Sequence, residues 1–118
     1  MDRKLFLFLI LLLVASCTKT ETSDSFAKCL ADSGTKMYGA FWCPHCNEQK
    51  SEFGDSWLTF EENNGFVECS TPDGKSQTDA CKAAGISAYP TWRFPDGTQI
   101  TGKQSFETLA QRSGCKLS

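Results

Sequence analysis

Apolar residues are arranged along this chain in three ways. The first is an unbroken run, Leu5 to Ala15, preceded by Arg3 and Lys4. Its 11 residues are too few to cross a bilayer as a helix, but they suit the apolar core of a secretory signal behind a basic n-region. Thr18 to Ser25 (TKTETSDS) is polar without a period and predicts a tether. The second arrangement is helical spacing. Phe26, Cys29 and Leu30 stand at i, i+3, i+4 and predict a short helix over 25–33, ended by Gly34. Pro44 to about Phe53 predicts a helix opening on proline, whose missing N–H costs nothing in a first turn. Gly54 marks a break or kink, and 56–60 continue the helix beyond it. Residues 77–84 predict a short helix ended by Gly85, and 105–113 a final one with Phe106, Leu109 and Ala110 on one face. The third arrangement is short aromatic or β-branched runs. Residues 35–42, 65–69, 90–94 and 98–101 predict strands, with turns at Thr71-Pro-Asp-Gly and Pro95-Asp-Gly.

The resulting order is α-β-α-β-α-β-β-α, without an internal repeat. Parallel strands joined by helices, then an antiparallel hairpin and a closing helix, predict an α/β fold. Its four-stranded mixed sheet is covered by helices on both faces. The chain divides into 1–16 (signal), 17–25 (tether) and 26–118 (one domain). Without residues 1–16 it has 102 residues, a size whose core is marginal and gains from covalent staples.

Charge narrows the partners. The whole chain carries 12 Lys+Arg against 14 Asp+Glu, and loss of Asp2, Arg3 and Lys4 with the signal leaves 10 against 13. With no basic patch, nucleic acid is excluded as the natural partner. Val14-Ala15-Ser16-Cys17 resembles a bacterial lipoprotein signal. The resemblance implies that Cys17 carries lipid on its sulfur and becomes the mature N-terminus. The domain is then anchored at the outer face of a bacterial membrane, periplasmic or at the cell surface, where disulfides persist. An eight-residue tether, Thr18 to Ser25, reaches about 28 Å at most, which favours a membrane-embedded partner. The alternative is an ordinary signal peptide with an incidental Cys17.

Seven cysteines stand at 17, 29, 43, 46, 69, 81 and 115. A lipidated Cys17 leaves an even number. Cys43 and Cys46 already face each other across one helical turn. Cys69 ends a strand and Cys81 lies in the next helix across the Pro72-Asp73-Gly74 turn, so these two pair. Cys29 and Cys115 follow by elimination. In a sheet of this kind the first and last helices usually lie on opposite faces, so that bridge is expected to reach round an edge. Cys69–Cys81 reads as a staple or, alternatively, as a second redox pair.

The chemistry concentrates in Trp42-Cys43-Pro44-His45-Cys46. A helix opening at Cys43 points unpaired N–H groups and the positive end of its dipole at that sulfur. Thiolate is thereby favoured over thiol, and a protonated His45 adds a second positive charge. Stabilising the reduced form makes the disulfide oxidising. Cys46, one turn in, is the resolving thiol, and Pro44 fixes the turn. Phe41 and Trp42 flank the site and either line a groove for clients or pack the core, Trp42 being the more exposed. Trp57 and Trp92 read as structural, and Glu61 to Asn64 as a solvated loop.

The cysteine pair opening the helix after the first strand, within this element order, resembles a thioredoxin fold trimmed of its first strand. Cys-Pro-His-Cys matches periplasmic disulfide oxidases of the DsbA type. The wider string MYGAFWCPHC, with VECS and then GISAYPTW, is similar to the thioredoxin-like domain that accompanies bacterial and plant homologues of vitamin K epoxide reductase. The resemblance covers most of 26–115. It implies oxidation of protein dithiols in client proteins, with electrons passed to a membrane vitamin K epoxide reductase-like or DsbB-like partner and its quinone. No cofactor is implied for this chain, and a monomer is expected. It further implies that Pro90 is cis and lies against Cys43 and Cys46, leaving the Tyr89 backbone free to pair with substrate. Tyr89 and Thr91, with Trp42, are thus the candidate substrate-binding residues. One departure matters: many relatives keep a buried acid six positions before the first active cysteine, and here that residue is Met37. Proton transfer at Cys46 then falls to water, Glu48 or another group.

Three rival readings stand beside this one. A disulfide reductase or isomerase would use the same dithiol. A metal site could draw on Cys43, His45, Cys46, Cys69 and Cys81, but the spacing lacks the second close pair that zinc sites usually have. A lipoprotein whose cysteines all staple leaves Pro44, His45 and Tyr89-Pro90 without a role.

Overall fold

The structure is a computed structural model, and it describes residues 23–117. The signal, Cys17 and residues 17–22 of the tether lie outside the described residues.

The first helix, α1 (Asp24–Asp32), begins inside the segment that reads as tether. Ser23 caps it by accepting a hydrogen bond from the Phe26 N–H at 3.2 Å, and Asp24 complements the dipole in its first turn. Its apolar stripe buries Phe26, Ala27, Leu30 and Ala31. Strand β1 (Lys36–Gly39) is shorter than the aromatic run suggests. The chain turns after Gly39, with the Cys43 N–H donating to the Ala40 carbonyl at 3.0 Å. That turn leaves Phe41 and Trp42 half exposed and starts α2 (Pro44–Phe53) at the cysteine pair.

Gly54, with φ 56°, closes α2 and starts a separate helix, α3 (Ser56–Glu62). Then follow β2 (Phe66–Glu68), α4 (Asp79–Ala83), β3 (Thr91–Arg93), β4 (Gln99–Thr101) and α5 (Phe106–Ser113). The sheet order is β2-β1-β3-β4, parallel between β1 and β2 and antiparallel elsewhere. This is the trimmed thioredoxin-like sheet, mixed and four-stranded.

Alternation along the strands divides the core. Met37, Phe66, Trp92 and Ile100 join the larger cluster, where Phe53 stacks with both Phe60 and Trp92 beneath α1, α2, α3 and α5. Tyr38 and Val67 face the other way, toward Cys69, Cys81, Ile86 and the short α4. The first and last helices therefore share one face, contrary to the expectation from the sequence. Phe26 of α1 and Phe106 of α5 meet edge to face at 6.2 Å. Cys29 and Cys115 consequently join directly, with Cα atoms 5.9 Å apart, and the bridge rounds no edge. Cys69 and Cys81 are joined on the second face.

Candidate active site

The site lies where β1 ends and α2 begins. Cys43 is the N-cap of α2, and its sulfur accepts the Cys46 N–H at 3.3 Å. A capping position normally filled by a serine or aspartate oxygen is thus filled by sulfur. The Cys43 thiol also faces the Tyr89 carbonyl at 3.8 Å. Cys43 retains 5% of its accessible surface and Cys46 none. The two are unbridged, one above the other, so a reagent from solvent meets Cys43 first. Burial, and then hydrogen bonding to Cys43, push the Cys46 thiol up to about 12. It is held as a thiol until something nearby compensates its charge.

The Tyr89–Pro90 peptide is cis, and Pro90 is fully buried. Tyr89 precedes β3, and among the described residues its N–H and carbonyl make no backbone hydrogen bond. Thr91 is buried instead, with its hydroxyl donating to the Ala88 carbonyl at 2.8 Å, so its side chain does not reach the surface. Trp42 lies beside Tyr89 edge to face at 5.9 Å, and its indole N–H donates to Ser70 Oγ at 2.9 Å. Trp42, Ser70 and Tyr89, with Lys75 and Gln77, line a cleft of about 240 Å³ on the Trp42 side of the site. Phe41 and Trp42 are similarly exposed, at 48% and 51%.

His45 projects into solvent, with Nδ1 3.7 Å from Glu48 Oε2, and makes no hydrogen bond to Cys43. Glu48 also faces Lys103, which pairs with Glu52 at 2.9 Å. This charged set occupies the outer face of α2, away from the buried stripe of Cys46, Gln49 and Phe53. Met37 is fully buried. Cys69 and Cys81, bonded to each other, are not available as ligands to a metal.

Two positions emerge only from the structure. Gln49 is fully buried; its Oε1 accepts from Trp92 Nε1 at 3.2 Å and from the Gln104 N–H at 2.7 Å. It pins the cysteine helix to β3 and to the loop before α5. The available signal was a polar residue on the apolar stripe at 46, 49 and 53. Gly39 is the second. A Cβ there would lie 2.9 Å from Cys46 Sγ and 3.3 Å from the Phe66 ring, so the bare backbone makes room for the buried sulfur. Gly39→Ala is expected to push Cys46 out of line with Cys43. Closure of the disulfide should slow by roughly tenfold to a hundredfold, the scale of an ångström of misplacement. Stopped-flow release of an aromatic thiol from Cys43 measures it. An unchanged rate would show that the sulfur has room to spare.

A dithiol at the head of a helix, an N-capping sulfur above a buried one, and a cis-proline turn facing them define a thioredoxin-like dithiol domain. The comparisons agree with that class. The chain is similar to Thiol-disulfide oxidoreductase LTO1 of Arabidopsis thaliana, 40% identical over 110 residues that cover 84% of this chain and 28% of the relative. It is also similar to Protein disulfide-isomerase of Humicola insolens, 32% identical over 73 residues, 62% of this chain and 14% of that protein. The chain thus spans less than a third of the length of either curated relative. No family model matches it.

Proposed function

We propose that this domain is a protein thiol–disulfide oxidoreductase that exchanges disulfides with cysteine-containing client proteins through Cys43 and Cys46. The observation that carries the reading is the vertical pair: a capping sulfur on a residue that keeps a sliver of surface, directly above a fully buried one. Both relatives are named for the same class of chemistry. The Tyr89 backbone, free of backbone partners among the described residues, and the cleft beside Trp42 offer an extended client segment a place to lie.

The working direction is oxidation. A client thiolate attacks Cys43 Sγ of the Cys43–Cys46 disulfide, that bond breaks, and Cys46 leaves with the electron pair. A second client thiolate then attacks the client sulfur of the mixed disulfide and expels Cys43. The client loses two electrons and the domain gains them. A membrane quinone-linked oxidase, vitamin K epoxide reductase-like or DsbB-like, takes them away. Lipid on Cys17 holds the domain beside that partner at the outer face of a bacterial membrane. Support for the anchor and the partner is the Val14-Ala15-Ser16-Cys17 signal, the short tether and the resemblance of the Cys-Pro-His-Cys region.

Equilibration of the Cys43–Cys46 pair with glutathione tests the direction. The expected potential is nearer about −120 mV than the roughly −270 mV of thioredoxin. A value at the thioredoxin end would replace oxidation by reduction and leave the exchange reading intact.

A further inference from the structure

Lys50 is an unusual cation for its position. It follows Cys46 by four residues on α2, so both project from neighbouring turns of one helix face. It is half-buried, and among the described residues it has no carboxylate partner. Its ammonium instead lies 4.2 Å from the centre of the Phe66 ring and 5.6 Å from that of Trp57. The same Phe66 ring and Cys46 Sγ together flank Gly39. Lys50, Phe66 and the buried sulfur therefore form one contiguous cluster under the site.

The charged groups of α2, β1 and β2 are engaged elsewhere, and Asp55, Glu61 and Glu62 of α3 and its N-cap are exposed and form no ion pair with Lys50 among the described residues. His45, Glu48 and Glu52 form the outer network with Lys103. Lys36 of β1 donates to the Asn64 carbonyl, and Glu68 of β2 accepts from the Cys69 and Ser70 N–H groups. Tyr38 and Arg93 meet on the opposite face of the sheet. Met37, six positions before Cys43 on β1, is apolar and fully buried.

We infer that Lys50 is a positioning residue for the exchange: its ammonium, held over Phe66 one turn beyond Cys46, steadies negative charge on the Cys46 sulfur whenever that sulfur attacks or leaves. This rests on the dithiol reading above and adds the group that makes the buried member usable. The thiol at Cys46 is otherwise held protonated by burial and by Cys43; a backbone hydrogen bond from Ala40 opposes them first, and Lys50 is the charged side chain that adds to it. The role is the same in both directions. In oxidation Cys46 departs as thiolate; in resolution it attacks as thiolate, after its proton has passed to solvent base. Lys50 takes no proton and forms no bond. Aromatic rings hold the cation without neutralising it, as a carboxylate would.

The test uses the reduced protein and an aromatic disulfide such as dithionitrobenzoate. Cys43 thiolate attacks it, releasing one thionitrobenzoate and leaving a mixed disulfide. Cys46 then attacks Cys43 Sγ and expels the second. Lys50→Met keeps the apolar stem on Trp57 and Phe66 and removes the charge; Lys50→Gln is a second neutral variant should the first fold poorly. Both should leave the first release unchanged and slow the second by about three- to tenfold at neutral pH, up to one pH unit in the profile. Lys50→Arg, which keeps the charge, should restore the wild-type rate. A merely structural disturbance of α2 would slow both releases and would not be rescued by arginine. Coincident second-phase profiles for wild type and a neutral variant would overturn the inference, as would an arginine variant as slow as the neutral ones. A wild-type protein that never releases the second thiol would instead remove the dithiol reading, and this inference with it.

Discussion

Cys46→Ala is expected to convert the protein into a trap for clients that already carry a disulfide: the Cys43 thiolate attacks that disulfide, one client sulfur leaves as thiolate, and the covalent complexes accumulate, dissolve on reduction, and vanish when Cys43→Ser is added. The expectation follows from which sulfur solvent can reach. Cys43 keeps a sliver of surface and Cys46 keeps none, so the foreign sulfur bonds to Cys43. In the intact protein the mixed disulfide is short-lived, because Cys46 lies one turn below and acts at an effective concentration no dissolved thiol reaches. Removing it should lengthen the life of the complex by about a hundredfold or more. Alanine is the right replacement, since serine would bury a hydroxyl in an apolar layer, whereas loss of one sulfur leaves only a small void. Cys43→Ser alone should reduce exchange to the uncatalysed level with the fold preserved. The readout is non-reducing electrophoresis of acid-quenched extracts, with thiol alkylation blocking later exchange. Equal complex formation by Cys46→Ala with and without Cys43→Ser would mean that another cysteine meets the client.

Much of this arrangement was legible in the sequence, and the reason is local. Proline after Cys43 and glycine at 54 bound a helix whose ends the structure places at Pro44 and Phe53. The turns at 71–74 and 95–97 separate elements because their residues can adopt little else. The misreadings arose where tertiary contact overrides local pattern. The aromatic run of 35–42 suits a strand throughout, but it stops pairing at Gly39 because the chain must turn to present Cys43. The placement of α1 and α5 on one face is decided by Phe26 meeting Phe106, a contact 80 residues apart in sequence. Gly39 and Lys50 were invisible for a related reason. Each acts on Cys46 through space, by an absent Cβ or by a charge over a ring, and neither leaves a motif.

The Cys29–Cys115 bridge is where stability should respond most. It joins residues 86 apart and so closes nearly the whole domain. In the chain-entropy account a loop of that length contributes about 4–5 kcal/mol, against about 3 kcal/mol for the 12-residue separation of Cys69–Cys81. Domains of this size hold only roughly 5–15 kcal/mol in total. The sheet gives little reserve, with three strands of three residues and one of four. Cys29→Ala/Cys115→Ala is therefore expected to lower the melting temperature by roughly 20–30 °C. The bridge lies far from the dithiol in the chain, pinning α1 to the end of α5, so exchange through Cys43 should survive at low temperature. Exposure sets the order of loss. Cys29 is exposed, whereas Cys69 and Cys81 are wholly buried, so graded reduction should open 29–115 first, and thermal stability should fall in that step. Mass spectrometry of alkylated intermediates, paired with a melt of each, resolves the sequence. A double variant that melts with the wild type would mean that helix packing around Phe26 and Phe106 already closes the chain, leaving the bridge nothing to constrain.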